Sequence, residues 1–225
     1  MSPLLIHLAT VDSTQYFLTR HPELGSCAVM ADQQTQGRGR GANRWESPTG
    51  AGLWMSARLP APALLPGLVL QRAMGAVISV LAPCGLELGL KWPNDLVAWR
   101  AGRLVKVGGI LGEAKGGSLL LGLGVNLLAA PALTDRAIPP ASLAELGAMN
   151  LPQGRALAQQ VLAAWGDLNG SPEPAFRWPK AGDAIGWEGG QGLCLGWEAD
   201  GRLRVATQQG LQLLSAGDVN ALTKG

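Results

Sequence analysis

Histidine is nearly absent from this chain. Two occur in 225 residues, His7 and His21, far apart and outside any motif. A His-based triad or a His-rich metal centre therefore has little to be built from. Cysteine is scarce as well. Cys27, Cys84 and Cys194 are widely separated, odd in number and form no CxxC pair. That argues against a disulfide framework or a zinc site and favours buried reduced thiols. Charged residues make up only 15%, and the net charge is +2. Such a balance offers no electrostatic grip on duplex DNA, so no specific DNA partner is expected. No segment reads as the ~18 apolar residues of a membrane span, and MSPLLIHLATVDSTQ lacks a basic region followed by a long apolar run. The expected setting is a reducing cytoplasm, with no membrane partner. GxxxxGK[ST], GxSxG, HExxH and a GxGxxG after a strand are all missing. What is present is apolar: 47% of the residues, the composition of a globular chain with a proper core.

Patterning divides the chain in two. Leu4–Leu8, Cys27–Ala31 and Leu53–Leu59 read as strands, and VDSTQYFLTR as a turn into a helix capped by Ser13 or Asp12. Leu65–Leu81 has helical spacing, with Pro66 suited to its first turn. LELGLKW and LVAWRAGRLVKVGGILGE read as strands, with Ala101-Gly102 as a turn. SLLLGLGVNLL is a further apolar strand, and Gly154–Leu168 a helix. NGSPEPAFRWPKAG then looks like a junction. The short alternating runs after it, AIGWEG, GLCLGWEA, RLRVATQ and LQLLSA, are spaced like a small antiparallel barrel. The division expected is an α+β domain over residues 1–179 and a small β module over 180–225.

Three segments carry chemistry. In QTQGRGRGANRW, Gly37, Gly39 and Gly41 alternate with Arg38 and Arg40. Glycine lets backbone N–H groups approach a ligand, and arginine presents a donor fork to carboxylate or phosphate. The same residues would also serve as a solvated basic turn or an RGG-like RNA contact. Trp45, at the end of that loop, is placed to stack on a flat ring. Lys106 sits in an apolar strand just before Gly108-Gly109, where it could meet an anion or simply occupy a strand edge. Asn94-Asp95, after Trp92-Pro93, can make a turn, hold Mg²⁺ or partner a lysine. Gly122 and Gly124 mark a close backbone approach, and Asn126 can cap a strand end or read a purine edge.

Ser13-Thr14, GRGRGANRW, KWPND, KVGGIL and GLGVN follow one another in a fixed order. In that order and spacing the chain resembles the biotin–protein ligases from Ser13 to Asn126. Two departures stand out. Gln15 occupies a position where the family has Asn, and Ala42-Asn43 replaces a second Gly-Arg, with arginine displaced to Arg44.

The resemblance implies a fold and an activity. The fold is α+β: a mixed, largely antiparallel sheet with helices, of the class II synthetase-like biotin/lipoate ligase type. A small C-terminal SH3-like β-barrel would follow it. The activity is ATP-dependent: biotin and MgATP give biotinyl-5′-AMP, and the acyl group passes to a lysine of a biotin carboxyl carrier protein. By match to the family, Lys106, Arg38 and Arg40 form the catalytic set. Ser13, Thr14, Gln15, Gln34, Arg38, Gly39, Arg40, Lys106 and Gly108 line the biotin site. Trp45, Asn94, Asn126, Gly122 and Gly124 would bind ATP, and Asp95 would hold Mg²⁺. With no room before Leu4 for a winged helix-turn-helix, the expectation is the monofunctional form. A homodimer is compatible with the sequence. A lipoate or octanoate ligase is a rival reading, but the Arg-Arg loop and distant histidine expected there are lacking. An RNA-binding module is another, weakened by the low net charge and the single glycine–arginine tract.

Overall fold

The structure, a computed structural model, describes residues 3–133, 136–152, 154–168 and 174–222. Strand β1 (Leu4–Val11) leads through helix α1 (Thr14–Arg20) to β2 (Cys27–Gln34), β3 (Gly52–Pro60) and helix α2 (Pro66–Leu81). Then come β4 (Leu88–Lys91), β5 (Asp95–Arg100), β6 (Arg103–Lys115), β7 (Ser118–Asn126), helix α3 (Gly154–Ala164) and β8 (Phe176–Trp178). These strands form one eight-stranded sheet in the order β1-β2-β3-β7-β6-β5-β4-β8. The two outer pairs, β1 with β2 and β4 with β8, are parallel, and the pairs between are antiparallel.

Period-two alternation explains the layering. Leu53, Met55, Ala57 and Leu59 of β3 and Leu119, Leu121, Leu123 and Val125 of β7 point to one face. There they pack with Ala73, Met74, Val77 and Leu81 of α2 and Leu157, Val161 and Leu162 of α3. Trp165 Nε1 donates to Ala73 O at 3.0 Å, tying the end of α3 to α2. Cutting a side chain such as Met74 or Leu81 back to alanine would cost about 2–5 kcal/mol. The opposite face carries Ser56, Gly122, Gly124 and Asn126, and α1 covers it only at one end. Ser13 is the N-cap of α1, its side chain accepting from the Tyr16 amide. Asp12 instead accepts from the Ser13 amide and pairs with Arg20, which holds its carboxyl below the usual range.

A second, five-stranded antiparallel sheet follows: β9 (Ala184–Trp187), β10 (Gly190–Trp197), β11 (Leu203–Thr207), β12 (Gly210–Leu214) and β13 (Val219–Ala221). Its order is β12-β11-β10-β9-β13. Trp92 of KWPND and Trp178 of β8 are buried with Ile185, Cys194, Leu203, Val205 and Val219 in one cluster. Trp92 Nε1 and Gln71 Nε2 both donate to Gly201 O, at 3.0 and 2.7 Å. The KWPND segment is thus clamped between the two sheets.

Several expectations need correction. Helix α3 ends at Ala164, not Leu168, because Trp165 turns back onto α2. The stretch read as a junction contains β8, which pairs with β4; its residues 169–173 lie outside the described residues. β13 was not foreseen. Gly67–Cys84 is long and apolar enough, by length and composition alone, to cross a membrane. Here 56% of it is buried, and its apolar face is the core face of α2. All three cysteines are buried, and burial pushes their thiols up, as expected of unreactive core sulfurs.

Candidate active site

A cleft of about 400 Å³ opens on the sheet face away from α2 and α3. Its floor is β7 with the neighbouring parts of β3, β6 and β5. Its walls come from the start of α1, the glycine–arginine loop and the small sheet.

The end under α1 is neutral and closely bonded. Gln34 Oε1 accepts from the Thr14 amide at 2.8 Å and from Thr14 Oγ1 at 3.1 Å. Thr14 Oγ1 lies 2.8 Å from Ser56 Oγ, and Gln34 Nε2 donates to Ser47 Oγ at 3.0 Å. Ser13, Thr14, Gln15 and Ser56 are all buried. Gln15 Nε2 is a buried donor with no hydrogen-bond partner, an arrangement that costs stability unless something else accepts from it. Its Oε1 lies 3.2 Å from where a Cβ on Gly122 would stand, so the glycine makes room for the amide.

Further along β7, a Cβ on Gly124 would fall 2.5 Å from Trp45 Cε2. Only glycine lets the indole rest against the strand backbone. Trp54 supports it edge-on, with ring centroids 6.2 Å apart. Asn126 is buried, with Nδ2 donating to Ala141 O at 3.1 Å and Oδ1 left as an unpartnered acceptor.

The remaining end is cationic. Lys106 Nζ lies 2.6 Å from Asp95 Oδ1 and 5.6 Å from the centre of the Trp45 ring. Lys91 Nζ bonds Asp218 Oδ1 of the small sheet and sits 3.9 Å from Asp95 Oδ2. Arg38 pairs with Glu113 of β6 at 2.8 Å and stacks over Tyr16 at 4.7 Å. Arg40 Nη1 donates to Gly217 O at 2.8 Å. The loop bearing these arginines is a short hairpin: Trp45 N donates to Gly37 O, Gly39 N to Asn43 O and Asn43 N to Arg40 O. The displaced Arg44 donates through Nη2 to Thr35 O at 2.9 Å.

A β-bulge sets which groups face the cleft. Leu96 pairs with Gly108 but Val97 pairs with Lys106, so Val107 is an extra residue in β6. Val105 and Val107 face the core, and so do Ile110 and, against Leu70, Gly112. Lys106 and Gly109 therefore share the cleft face. Gly108, nominated for the biotin site by match to the family, does not line the cleft: a Cβ there would meet Gly124 O and Leu96. Every other nominated residue lines the cleft: Ser13, Thr14, Gln15, Gln34, Arg38, Gly39, Arg40, Trp45, Asn94, Asp95, Lys106, Gly122, Gly124 and Asn126.

Asn94 is there, but its Nδ2 is spent on Ile110 O at 2.6 Å, bracing the bulge. Asp95 is engaged by two lysines, and among the described residues no group of three or more His, Cys, Asp or Glu side chains could hold a metal ion. These residues do not build a resident Mg²⁺ site; Asp95 Oδ1 is paired with the Lys106 ammonium instead. Sequence reasoning missed Lys91, Glu113, Asp218 and Ser56. Lys91 and Ser56 had a signal, each a lone polar residue within an apolar run. Asp218 had none.

Residues 9–128 match the model of the biotin/lipoate A/B protein ligase family. The chain belongs to that family. Among its relatives, the biotin–[acetyl-CoA-carboxylase] ligase of Mycobacterium tuberculosis is 30% identical over 221 residues, covering 88% of this chain and 79% of that protein. The bifunctional ligase/repressor BirA of Bacillus spizizenii is 34% identical over 138 residues, 56% of this chain but only 41% of that protein. The chain thus spans less than half the length of the curated relatives it first matches. A biotin protein ligase from Aquifex aeolicus, solved with biotin and ATP, shares the fold with a TM-score of 0.76 at 24% identity, covering 96% of this chain and 97% of that one. This family member retains the five motifs around its cleft.

Proposed function

We propose that the protein is a biotin–[biotin carboxyl-carrier protein] ligase. The observation that carries this is the sequence of environments along β7. A buried amide with a free donor lies over Gly122, a flat indole over Gly124, and the Lys106 ammonium 5.6 Å from that indole. This order suits a ligand with a neutral polar ring at one end, a carboxylate in the middle and a purine alongside. The names of the relatives support it.

A carboxylate is a poor electrophile toward an amine. In the first step a biotin carboxylate oxygen attacks the α-phosphorus of ATP. An acyl–O–P bond forms and the bond to pyrophosphate breaks. Negative charge gathers on phosphoryl oxygens, and Lys106, Arg38 and Arg40 supply preorganised positive charge there. Asp95 keeps the Lys106 ammonium aimed. In the second step the amine of a carrier lysine attacks the acyl carbon, forming the amide, losing a proton and expelling AMP.

Ser13, Thr14, Gln15 and Gln34 hold the ureido ring, with Gln15 Nε2 donating to its carbonyl. Trp45 covers the adenine, and Asn126 Oδ1 accepts from its amino group. Magnesium travels on the nucleotide phosphates. The reaction belongs in the cytoplasm, where carrier protein and ATP occur together, and needs neither specific DNA nor a membrane.

The test is transfer of labelled biotin to a carrier domain, with and without ATP. ATP-dependent labelling of one lysine is expected. A folded protein that labels nothing, or that activates lipoate or octanoate and not biotin, would remove the reading.

A further inference from the structure

We infer that Asp218 is a positioning residue for the cationic end of the cleft: it holds the Lys91 ammonium and yields it to a nucleotide phosphate. Nucleotide binding thereby frees the segment of the small sheet that leads into β13. The inference rests on the ligase reading above.

The two partners are buried very unequally. The Lys91 side chain is 2% exposed, that of Asp218 68%. An ammonium enclosed to that degree needs an anion beside it. Around it lie Asp95 Oδ2 at 3.9 Å, the Trp178 ring at 5.8 Å and the Asp218 carboxylate. Asp95 is shared, its other oxygen 2.6 Å from Lys106. Asp218 therefore supplies the charge Lys91 lacks. The converse does not hold. A carboxylate so exposed returns to water at little cost. Lys91 is fixed by β4 and by the clamp on its neighbour Trp92, so it cannot follow.

An anion that reaches the cleft floor can thus displace Asp218 while Lys91 stays in place. A phosphate carries more charge than the carboxylate and offers several acceptor oxygens. The preceding residue adds a second link, because Gly217 O accepts from Arg40 of the glycine–arginine loop. The short segment leading into β13 thus touches Lys91 and Arg40, one of the cations assigned to the phosphates. Gly217 and Asp218 both line the cleft.

The test compares the parent, Asp218→Asn and Asp218→Glu as full chains, titrated with ATP, inorganic pyrophosphate and biotin. Asparagine keeps the shape and removes the competing charge. ATP and pyrophosphate should then bind about five- to tenfold more tightly, on the scale of ordinary coupling between sites. Biotin affinity should stay within about twofold, a change too small to signal a lost contact. Asp218→Glu should restore parental values. In the parent, amide exchange across residues 215–219 should speed up with ATP or pyrophosphate. A role in packing alone predicts weaker binding or no change. Weaker or unchanged ATP and pyrophosphate affinity in Asp218→Asn, in a protein that still binds biotin, overturns the inference and leaves the ligase reading intact. Slower exchange at 215–219 with ATP does the same. A parent that binds neither biotin nor ATP overturns both.

Discussion

At one end of the cleft, Thr14, Gln34, Ser47 and Ser56 are neutral groups joined at 2.8–3.1 Å. At the other, Lys91, Lys106 and Arg38 are cations, each held by a carboxylate: Asp218, Asp95 and Glu113. The neutral end is fixed by backbone position. Thr14 opens α1, Gln34 ends β2 and Ser56 lies mid-strand in β3, so its hydrogen bonds present a defined shape. The charged end draws on five places in the chain, including the small sheet, and its pairs differ in exposure. Neutral groups locked in this way select a ligand by geometry, because a mismatch leaves buried polar atoms unpaired. Paired cations hold charge in readiness and can exchange a protein carboxylate for a ligand's anion.

The largest effect is expected at Lys106. Lys106→Ala removes the ammonium nearest the Trp45 ring and leaves Asp95 to Lys91 alone. Biotinyl-AMP formation should fall about 10²–10³-fold, the usual loss for one transition-state electrostatic group, while the thermal midpoint moves little. Single-turnover adenylation checks it; a near-parental rate would show that the cationic end does not serve the chemistry.

Thr14→Val tests the neutral end. It deletes a hydroxyl bonded to both Gln34 and Ser56 while keeping the volume. Biotin should bind about tenfold more weakly, as for one lost buried hydrogen bond, with ATP affinity unchanged. If calorimetry shows ATP weakened equally, the two ends are not separable as argued.

Arg40→Gly should have the mildest effect on the first step. It cuts the bond to Gly217 O and removes a loop cation, so activated biotin should escape about several-fold faster while still forming. Incubation with bystander proteins should show stray lysine labelling. Retention of biotinyl-AMP as long as in the parent would relieve Arg40 of the closing role.

Much of this was legible in the residues because it is local. LWMSARL alternates cleanly, and its one uncharged polar residue, Ser56, lies on the cleft face. Pro66 begins α2, and Ser13 caps α1. GLGVN announced close approaches, and the structure names them: Gln15 at Gly122 and Trp45 at Gly124. Gly108, assigned to the biotin site by match to the family, misses the cleft because the extra residue at Val107 shifts the alternation once β5 and β6 are paired. Asp95 was read as a metal ligand because Asn-Asp after proline permits that. In the structure it is paired with two lysines from other strands, which the sequence pattern did not reveal.

The sequence by itself determined seven of the eight strands of the large sheet, the face on which its apolar residues gather, and the residue types that the cleft can use. Those follow from steric preference and period-two burial, which act over a few residues. Only the tertiary structure decided that Trp92 plugs the small sheet, that Gly109 rather than Gly108 faces the cleft, and that Lys91 leans on Asp218, 127 positions away. Register shifts and long-range ion pairs leave no periodic trace in the chain. They arise from the demand that a buried charge or indole find a partner, and that partner is set by how whole sheets pack.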